Sequence, residues 1–415
     1  MAVPAATLLS LETSSFRLPS YISRGGYEAA RRTLLSKKPG EVVDEVKRAN
    51  LRGRGGAGFP AGSKWAFVPP ADGRPRYLCV NADEGEPGTF KDRAIMTRDP
   101  HLLLEGIVIA SYAVGVHTAF IYIRAEYEAV ARRLEAAVEE ARAAGFLGPN
   151  VFGSGFDLEV FVHRGAGSYI CGEETALLES IEGKKGWPRL RPPFPAAVGL
   201  FRAPTVINNV ETIANVPLVF RDGAEAFAAR GLPKDGGTRL FGVSGAVRRP
   251  GLYELPVGTP LRRIIDEWAG GPAEGQAIKA VCPGGLSAPF LTPDELDVAM
   301  DYESLARAGS MLGSAGIIVV GDRTPMIDVL RIVTRFYAHE SCGQCTPCRI
   351  GTTWISKVVA RMAAAGGMAG DLALIRRLAE GMKGRTLCPM GDAAAFPVLS
   401  ILAKFEKELS GTLSG

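Results

Sequence analysis

Apolar and polar positions recur along this chain with two different periods, and the switches between them mark out its elements. Over residues 27–49 the apolar residues return at helical spacing, with Val42, Val43 and Val46 on one stripe among Glu41, Asp44, Glu45 and Lys47, which predicts one helix leading into a glycine loop. Strand-like runs follow at 77–80, 118–123 and 157–162, separated by helical patterns at 100–114 and 126–144. Strand, helix, strand, helix, strand implies a parallel α/β sheet. Asp99-Pro100 reads as a cap plus first-turn proline, and Gly115 and Gly145 stand where left-handed helix ends are expected.

Beyond the sheet the pattern changes. Residues 183–217 are rich in proline and glycine. The stretch from about 236 to 321 has short strands, such as 240–243, and one short helix near 261–268, which predicts a separate small α+β domain. From Pro325 onward, helical patterns at 326–337, 352–364, 372–382 and 393–409 are joined by glycine or cysteine breaks, and a four-helix bundle is the simplest packing.

Composition narrows the classes. A chain of 415 residues predicts roughly two to four domains. With 48 basic against 44 acidic residues and a net charge of +4, there is no electrostatic case for nucleic acid. The longest apolar stretches, such as 102–110 and 316–320, fall far short of the roughly 20 residues that span a bilayer. Residues 1–9 carry no positive n-region ahead of an apolar core, so no secretory signal and a reducing compartment are expected. In that setting the seven cysteines read as ligands or buried thiols.

The cysteines supply the strongest chemical signal. Cys342, Cys345 and Cys348 stand at two-residue gaps, and Cys388-Pro389 supplies a fourth thiol further along. Such gaps let one loop cap three corners of a four-iron cubane while a distant cysteine closes it. A structural zinc site is the alternative, although zinc usually takes two separated C-x-x-C pairs. Cys79, Cys171 and Cys282 read as packed thiols.

Two glycine loops come next. Residues 53–58 satisfy G-x-G-x-x-G in letter, yet the loop follows a helix and runs into Phe59-Pro60, so it is a loop for close ligand approach and not a Rossmann turn. Arg52, Arg54 and Lys64 flank it as donors for a phosphate or pyrophosphate. The second loop, 164–174, follows the third strand and precedes a helix at 175–181, and crevices at strand carboxyl ends are where α/β sheets bind ligands. At the end of the first strand, Asn81, Asp83, Glu84 and Glu86 gather acids and turn formers at the same edge; the alternative reading is a solvated acidic turn.

Taken together, these runs resemble the flavin-binding F subunits of respiratory complex I, the NADH–quinone oxidoreductase, and the related diaphorase subunits of NAD-reducing hydrogenases and formate dehydrogenases. The likeness extends from Gly25-Gly26-Tyr27-Glu28 to Gly391-Asp392-Ala393. It implies an α/β fold with four parts: an N-terminal helical segment and glycine loop at 1–62, an FMN- and NADH-binding parallel-sheet domain at 63–236, a ubiquitin-like β-grasp domain at 237–324, and a C-terminal four-helix bundle with a [4Fe–4S] cluster at 325–415.

Carried over residue by residue, the resemblance implies an FMN pocket of Gly53, Arg54, Lys64, Asn81, Asp83, Tyr169, Gly172, Glu173, Asn208, Asn209 and Thr212. It implies an NADH site of Gly56, Phe59, Phe67, Glu86, Glu174 and Phe194, and cluster ligation by Cys342, Cys345, Cys348 and Cys388. The phenylalanines would stack the adenine, and Glu174 or Glu86 would take ribose hydroxyls and repel a 2′-phosphate. It also implies hydride transfer from NADH to FMN with no side-chain acid or base, the electrons then leaving singly through the cluster toward quinone. Implied partners are a thioredoxin-like [2Fe–2S] subunit and a large multi-cluster iron–sulfur subunit, at the cytoplasmic face of the inner membrane, with membrane contact only through the complex. The rival readings are a diaphorase subunit of a soluble dehydrogenase or hydrogenase, disfavoured by the lack of extra thioredoxin-like or ferredoxin-like segments, and a non-catalytic electron relay. The chain departs from the usual family text at Ala61, Ala125, Arg191 and Arg202.

Overall fold

The computed structural model describes residues 8–9 and 15–413, so the expectation about a leader at residues 1–9 falls largely outside the described residues. The described chain enters through α1 (Leu18–Ser23), α2 (Glu28–Ser36) and α3 (Pro39–Arg48). The single helix expected over 27–49 is thus two helices. Pro39 brings no N–H and drives Lys38 into extended backbone at φ −80°, ψ 151°, which ends α2 and restarts the helix at its own first turn. The valine stripe survives, since Val42, Val43 and Val46 are all buried.

After the glycine loop come α4 (Ala61–Ala66), β1 (Tyr77–Ala82), α5 (Lys91–Arg98), α6 (Pro100–Val114), β2 (Thr118–Ile123), α7 (Glu128–Ala143) and β3 (Glu159–Arg164). Then follow α8 (Glu174–Ile181), β4 (Thr205–Asn209), α9 (Val210–Asp222) and α10 (Ala224–Ala228). The four strands form one parallel sheet in the order β3-β2-β1-β4. β1 alternates as a doubly covered strand must: Leu78, Val80 and Ala82 join the core under α6 and α9, while Cys79 joins the core on the opposite face. Gly106 lets α6 lie against α9, because a Cβ there would sit 2.1 Å from the Ile213 carbonyl oxygen.

Three local expectations are refined. Gly115 and Gly145 do take left-handed backbone, at φ 70° and 73°. Asp99, however, does not cap α6; its carboxylate accepts from Arg24 Nη2 at 2.8 Å. The proline- and glycine-rich stretch 183–217 also hides β4 and the start of α9, whose β-branched and apolar residues are buried beside β1.

The order of the strands positions the site. The chain runs from β1 outward through β2 to β3, then returns to the other side of β1 for β4. Such a reversal opens a crevice beyond the carboxyl ends of the two strands that flank it.

The next unit is a mixed sheet of β5 (Thr238–Gly245), β6 (Gly251–Pro256), β7 (Ile278–Cys282) and β8 (Gly316–Gly321) in the order β6-β5-β8-β7, with β5 and β8 parallel and the outer pairs antiparallel. It carries α11 (Leu261–Arg263), which continues as a wider turn over Ile264–Trp268, and α12 (Tyr302–Arg307) around its own core. Last come α13 (Met326–Glu340), α14 (Thr346–Ala363), α15 (Asp371–Met382) and α16 (Met390–Lys404), with a short α17 (Glu406–Ser410). α14 begins before the expected 352 because Pro347 occupies its first turn, which places Cys348 inside the helix. The bundle shares a core with Cys79 and Ile207 on the outer face of the parallel sheet. Among the described residues no helix is long and apolar enough to cross a membrane.

Candidate functional site

The glycine loop sits on the carboxyl end of β4. Gly53 N donates to the Phe59 carbonyl at 2.9 Å and Ala61 N to that of Leu51 at 2.8 Å, so the loop is a tight hairpin that ends in α4. A side chain at Gly55 would stand 3.0 Å from Asn209 Cβ, and Gly58, at φ 68°, would drive one into the Tyr302 ring. Tyr302, on α12, donates its hydroxyl to the Gly53 carbonyl at 2.8 Å and takes Arg52 over its ring at 4.2 Å. The β-grasp domain therefore holds the loop from outside, a role nothing in the local sequence marks.

Arg54 departs from expectation. Its guanidinium is fully buried and turned away from the crevice, with Nη1 on Asp235 Oδ1 at 2.6 Å and Nη2 on the Gly236 carbonyl at 2.7 Å. Only its backbone serves the loop, through N to Thr212 Oγ1 at 2.8 Å. The side chain is a structural ion pair and not a phosphate donor.

Lys64 is the open counterpart. From α4 its ammonium donates to the Ile207 carbonyl at 2.6 Å and to Glu174. Glu173 caps α8 by accepting from the N–H groups of Thr175 and Ala176 at 2.9 and 3.0 Å, and Arg191 pairs with Glu173 at 3.0 Å and Glu174 at 3.5 Å. Lys64, Glu174, Arg191 and Glu173 thus form one partly exposed band of alternating charge. Among the other departures from family text, Arg202 takes φ 64°, the left-handed region for which glycine is the cheap residue.

Between these groups lies a cradle. Asn81 Nδ2 donates to the Gly172 carbonyl at 2.8 Å and Asn81 Oδ1 accepts from Asp83 N at 3.1 Å. A Cβ on Gly172 would come 3.3 Å from the Asp83 carbonyl oxygen, so only glycine fits there easily. Asp83 Oδ2 is buried with no hydrogen-bond partner, and burial pushes this carboxyl up to about 7 although Arg124 pulls it down. Asn208 Oδ1 is taken by Trp65 Nε1 at 2.9 Å. Asn209 caps α9 and donates to Asp92 Oδ2 at 2.6 Å, while buried Lys91 reaches Asp92 and Glu211 at 2.8 and 2.9 Å. The sequence does not mark Lys91, Asp92 and Glu211; α5 and α9, which carry them, are not among the helices its pattern predicts.

The nucleotide-site candidates fall into two groups. Phe59 and Phe67 are 47% and 63% exposed with ring centroids 5.9 Å apart, and Phe194 is 60% exposed without a ring contact to either. Phe59 and Phe67 border the Gly56 loop and Phe194 the Arg191 segment, so their open rings stand where a planar group can stack. Glu86 points instead toward Tyr169, whose hydroxyl donates to it at 2.7 Å, and toward Ser287 of the β-grasp domain.

The cysteine loop packs against the same crevice. Glu340 accepts from Tyr169 N at 3.0 Å, Tyr169 stands edge-on to Phe336 with centroids 5.2 Å apart, Trp187 Nε1 donates to the Cys342 carbonyl at 3.1 Å and Gln344 Nε2 to that of Pro188 at 3.1 Å. Burial pushes the Cys388 thiol up to about 12, with the neighbouring charges of Glu173, Cys342 and Cys348 adding to it, so these groups share one locality. Cys79, Cys171 and Cys282 are buried free thiols, as expected.

An orphaned acceptor in a glycine cradle, capped loops at a strand-reversal crevice and four grouped thiols fit a flavin beside an iron–sulfur cluster. They define an electron-transfer protein of the flavin and iron–sulfur class. Comparison with known proteins agrees: residues 46–218 match the family model for the Nuo51 FMN-binding domain, 240–291 the SLBB domain, and 328–411 the NADH-ubiquinone oxidoreductase-F iron-sulfur binding region. The F 2 subunit of the NADH-quinone oxidoreductase of Rhizobium meliloti is 54% identical over 391 residues, covering 94% of this chain and 93% of that one. The corresponding F subunit of Streptomyces coelicolor is 48% identical over 404 residues, covering 97% and 90%. A crystal structure of NAD+-reducing [NiFe]-hydrogenase in the H2-reduced state superimposes with a TM-score of 0.87 at 38% identity, over 96% of this chain and 66% of that one, so this chain spans about two thirds of its length. The chain belongs to the family of NADH-quinone oxidoreductase F subunits.

Proposed function

We propose that the chain is the NADH-oxidising subunit of a multi-subunit NADH:quinone oxidoreductase, with FMN in the crevice between β1 and β4 and a [4Fe–4S] cluster on Cys342, Cys345, Cys348 and Cys388. The observation that carries this reading is the meeting of five chain segments at the strand-reversal crevice, with the cysteine loop packed on the turn that holds Tyr169. FMN, when bound, supplies the two-electron acceptor for hydride and returns electrons singly to the cluster.

The chain's own residues orient and screen. Backbone groups of Gly53, Arg54 and Gly172, with Lys64, Asn81, Asp83, Tyr169, Glu173, Asn208, Asn209 and Thr212, line the flavin pocket. Asp83 brings its unpartnered oxygen to meet a donor of the bound group. Gly56, Phe59, Phe67, Glu86, Glu174 and Phe194 receive the nucleotide. The exposed rings offer a stacking surface and Glu174 a ribose acceptor that disfavours a 2′-phosphate. No acid or base is required of a side chain, so the rate rests on orientation.

Domain limits at 62/63, 236/237 and 324/325 accompany this reading, as do a thioredoxin-like [2Fe–2S] partner, a larger multi-cluster partner and a place on the cytoplasmic face of the inner membrane. The structural likeness to the hydrogenase chain supports a second reading, a diaphorase delivering electrons to another enzyme; quinone reduction by the assembled complex separates the two. The test of the main reading is NADH and NADPH oxidation with ferricyanide by FMN-loaded protein co-expressed with its partners, wild type against Glu174→Gln. Rapid NADH turnover is expected, with the preference over NADPH reduced about tenfold by the substitution, a change of about 1.4 kcal/mol. Flavin-loaded protein inert to NADH would sink the reading.

A further inference from the structure

We infer that Ser287, in the β-grasp domain, is a positioning residue that aims the Glu86 carboxylate at the nicotinamide nucleotide. The inference rests on the reading above that Glu86 lines the nucleotide site. It assigns the β-grasp domain a part in substrate binding.

The geometry is specific. Glu86 Oε1 accepts from Ser287 N at 2.7 Å, and Ser287 Oγ lies 2.7 Å from Oε1 and 2.8 Å from Oε2. Tyr169 donates its hydroxyl to Oε2 at 2.7 Å. The Ser287 hydroxyl has one proton, which Glu86 takes as the charged acceptor, so the contact with the Tyr337 hydroxyl at 2.9 Å has Tyr337 as donor. Glu86 is thereby fixed by the turn before α8 through Tyr169, by the loop after β7 through Ser287, and at one remove by α13 through Tyr337. The loop after β7 leaves room for the carboxylate, because Gly285 stands at φ 92° and a side chain on it would come 2.5 Å from Glu86 Cγ. Leu286 N, donating to the Pro87 carbonyl at 3.1 Å, ties the loop to the strand-end segment that carries Glu86.

A carboxylate held by three donors has one orientation in place of several rotamers, and Glu86 still reaches the surface in part. The acceptor capacity left by sharing the single Ser287 proton between both oxygens is presented to a hydroxyl or amide donor of the incoming nucleotide at no further ordering cost. Without the Ser287 hydroxyl, Glu86 keeps Tyr169 and one backbone N–H but loses the bridge that spans both oxygens, and binding must order it afresh.

The test is a double-mutant cycle on the FMN-loaded complex, reading KM for NADH, kcat with ferricyanide and FMN per chain. Ser287→Ala should raise KM about tenfold, the loss of one hydrogen bond to a charged group, with kcat and FMN content unchanged. Ser287→Cys, with a weaker donor of similar size, should fall between. In a Glu86→Gln background Ser287→Ala should add less than about twofold, because the residue acts through Glu86. Unchanged KM in Ser287→Ala beside raised KM in Glu86→Gln would overturn the inference and leave the nucleotide reading standing. Unchanged KM in both would remove Glu86 from the site and the inference with it. Lost FMN, or fully additive effects, would reduce Ser287 to a structural clamp and overturn the inference.

Discussion

Arg54 and Lys64 flank the same glycine loop and carry the same charge, yet one faces the interior and the other the crevice. Arg54 is fully buried on Asp235, with the pair 0% and 2% exposed, whereas Lys64 and Glu174 remain 27% and 30% exposed. A charge withdrawn from water must be matched by a fixed partner and then holds the fold. A charge left at the rim is cheap to move and stays free to meet a ligand.

The largest expected effect tests the buried side. Arg54→Ala leaves Asp235 buried without its cation and should cost about 3–5 kcal/mol in urea unfolding. Adding Asp235→Ala should recover part of that loss, since the penalty lies mainly in the unpaired charge. A cost under about 1 kcal/mol for Arg54→Ala, in the range of an exposed pair, would mean the guanidinium belongs to the crevice after all.

This same pair shows where sequence stops informing. Spacing alone places both cations beside a glycine loop, and their opposite directions depend on Asp235, which is far along the chain. The iron–sulfur region was legible because its signal is local, with three cysteines in one loop. The parallel sheet was legible because period-two and helical runs alternate. β4 was not, because the prolines and glycines before it masked a short buried strand. Nor was the buried set of Lys91, Asp92 and Glu211, since no pattern predicts the helices α5 and α9 that bring these charges together. Ser287 and Tyr302 escaped for a related reason: both reach the crevice from a domain whose sequence marks it as separate.

A middle case lies between rim and interior. The Asp83 carboxyl is pushed up to about 7 by burial, above its usual 3.8. Between those values the folded chain keeps a proton that the unfolded chain has released, so stability should fall as pH rises from about 4 to 7. The neighbouring Glu84 carboxyl, also raised to about 7 by burial and by Asp92, contributes in the same sense. Burial raises the carboxyls of Glu86, Asp92 and Glu105 too, so Asp83→Asn removes one contribution among several. It should flatten the slope of urea midpoint against pH over that window without abolishing it, a change on the order of 4 kcal/mol at most. An unaltered slope would show that Asp83 is solvated and has no unmet acceptor to offer a flavin.

The smallest effect on stability belongs to the open side. Lys64→Gln breaks a pair at the rim, and exposed pairs contribute about 0–1 kcal/mol, so its unfolding midpoint should barely move. Its effect should surface instead in binding. With the ammonium gone, Glu174 keeps only Arg191 at 3.5 Å, and the crevice loses a cation that lies beside the flavin pocket. Weaker FMN retention on gel filtration, at unchanged stability, would set Lys64 apart from Arg54 as the loop's ligand-facing charge. A large loss of stability would mean that Lys64, too, is spent on the fold, leaving backbone N–H groups as the loop's only donors.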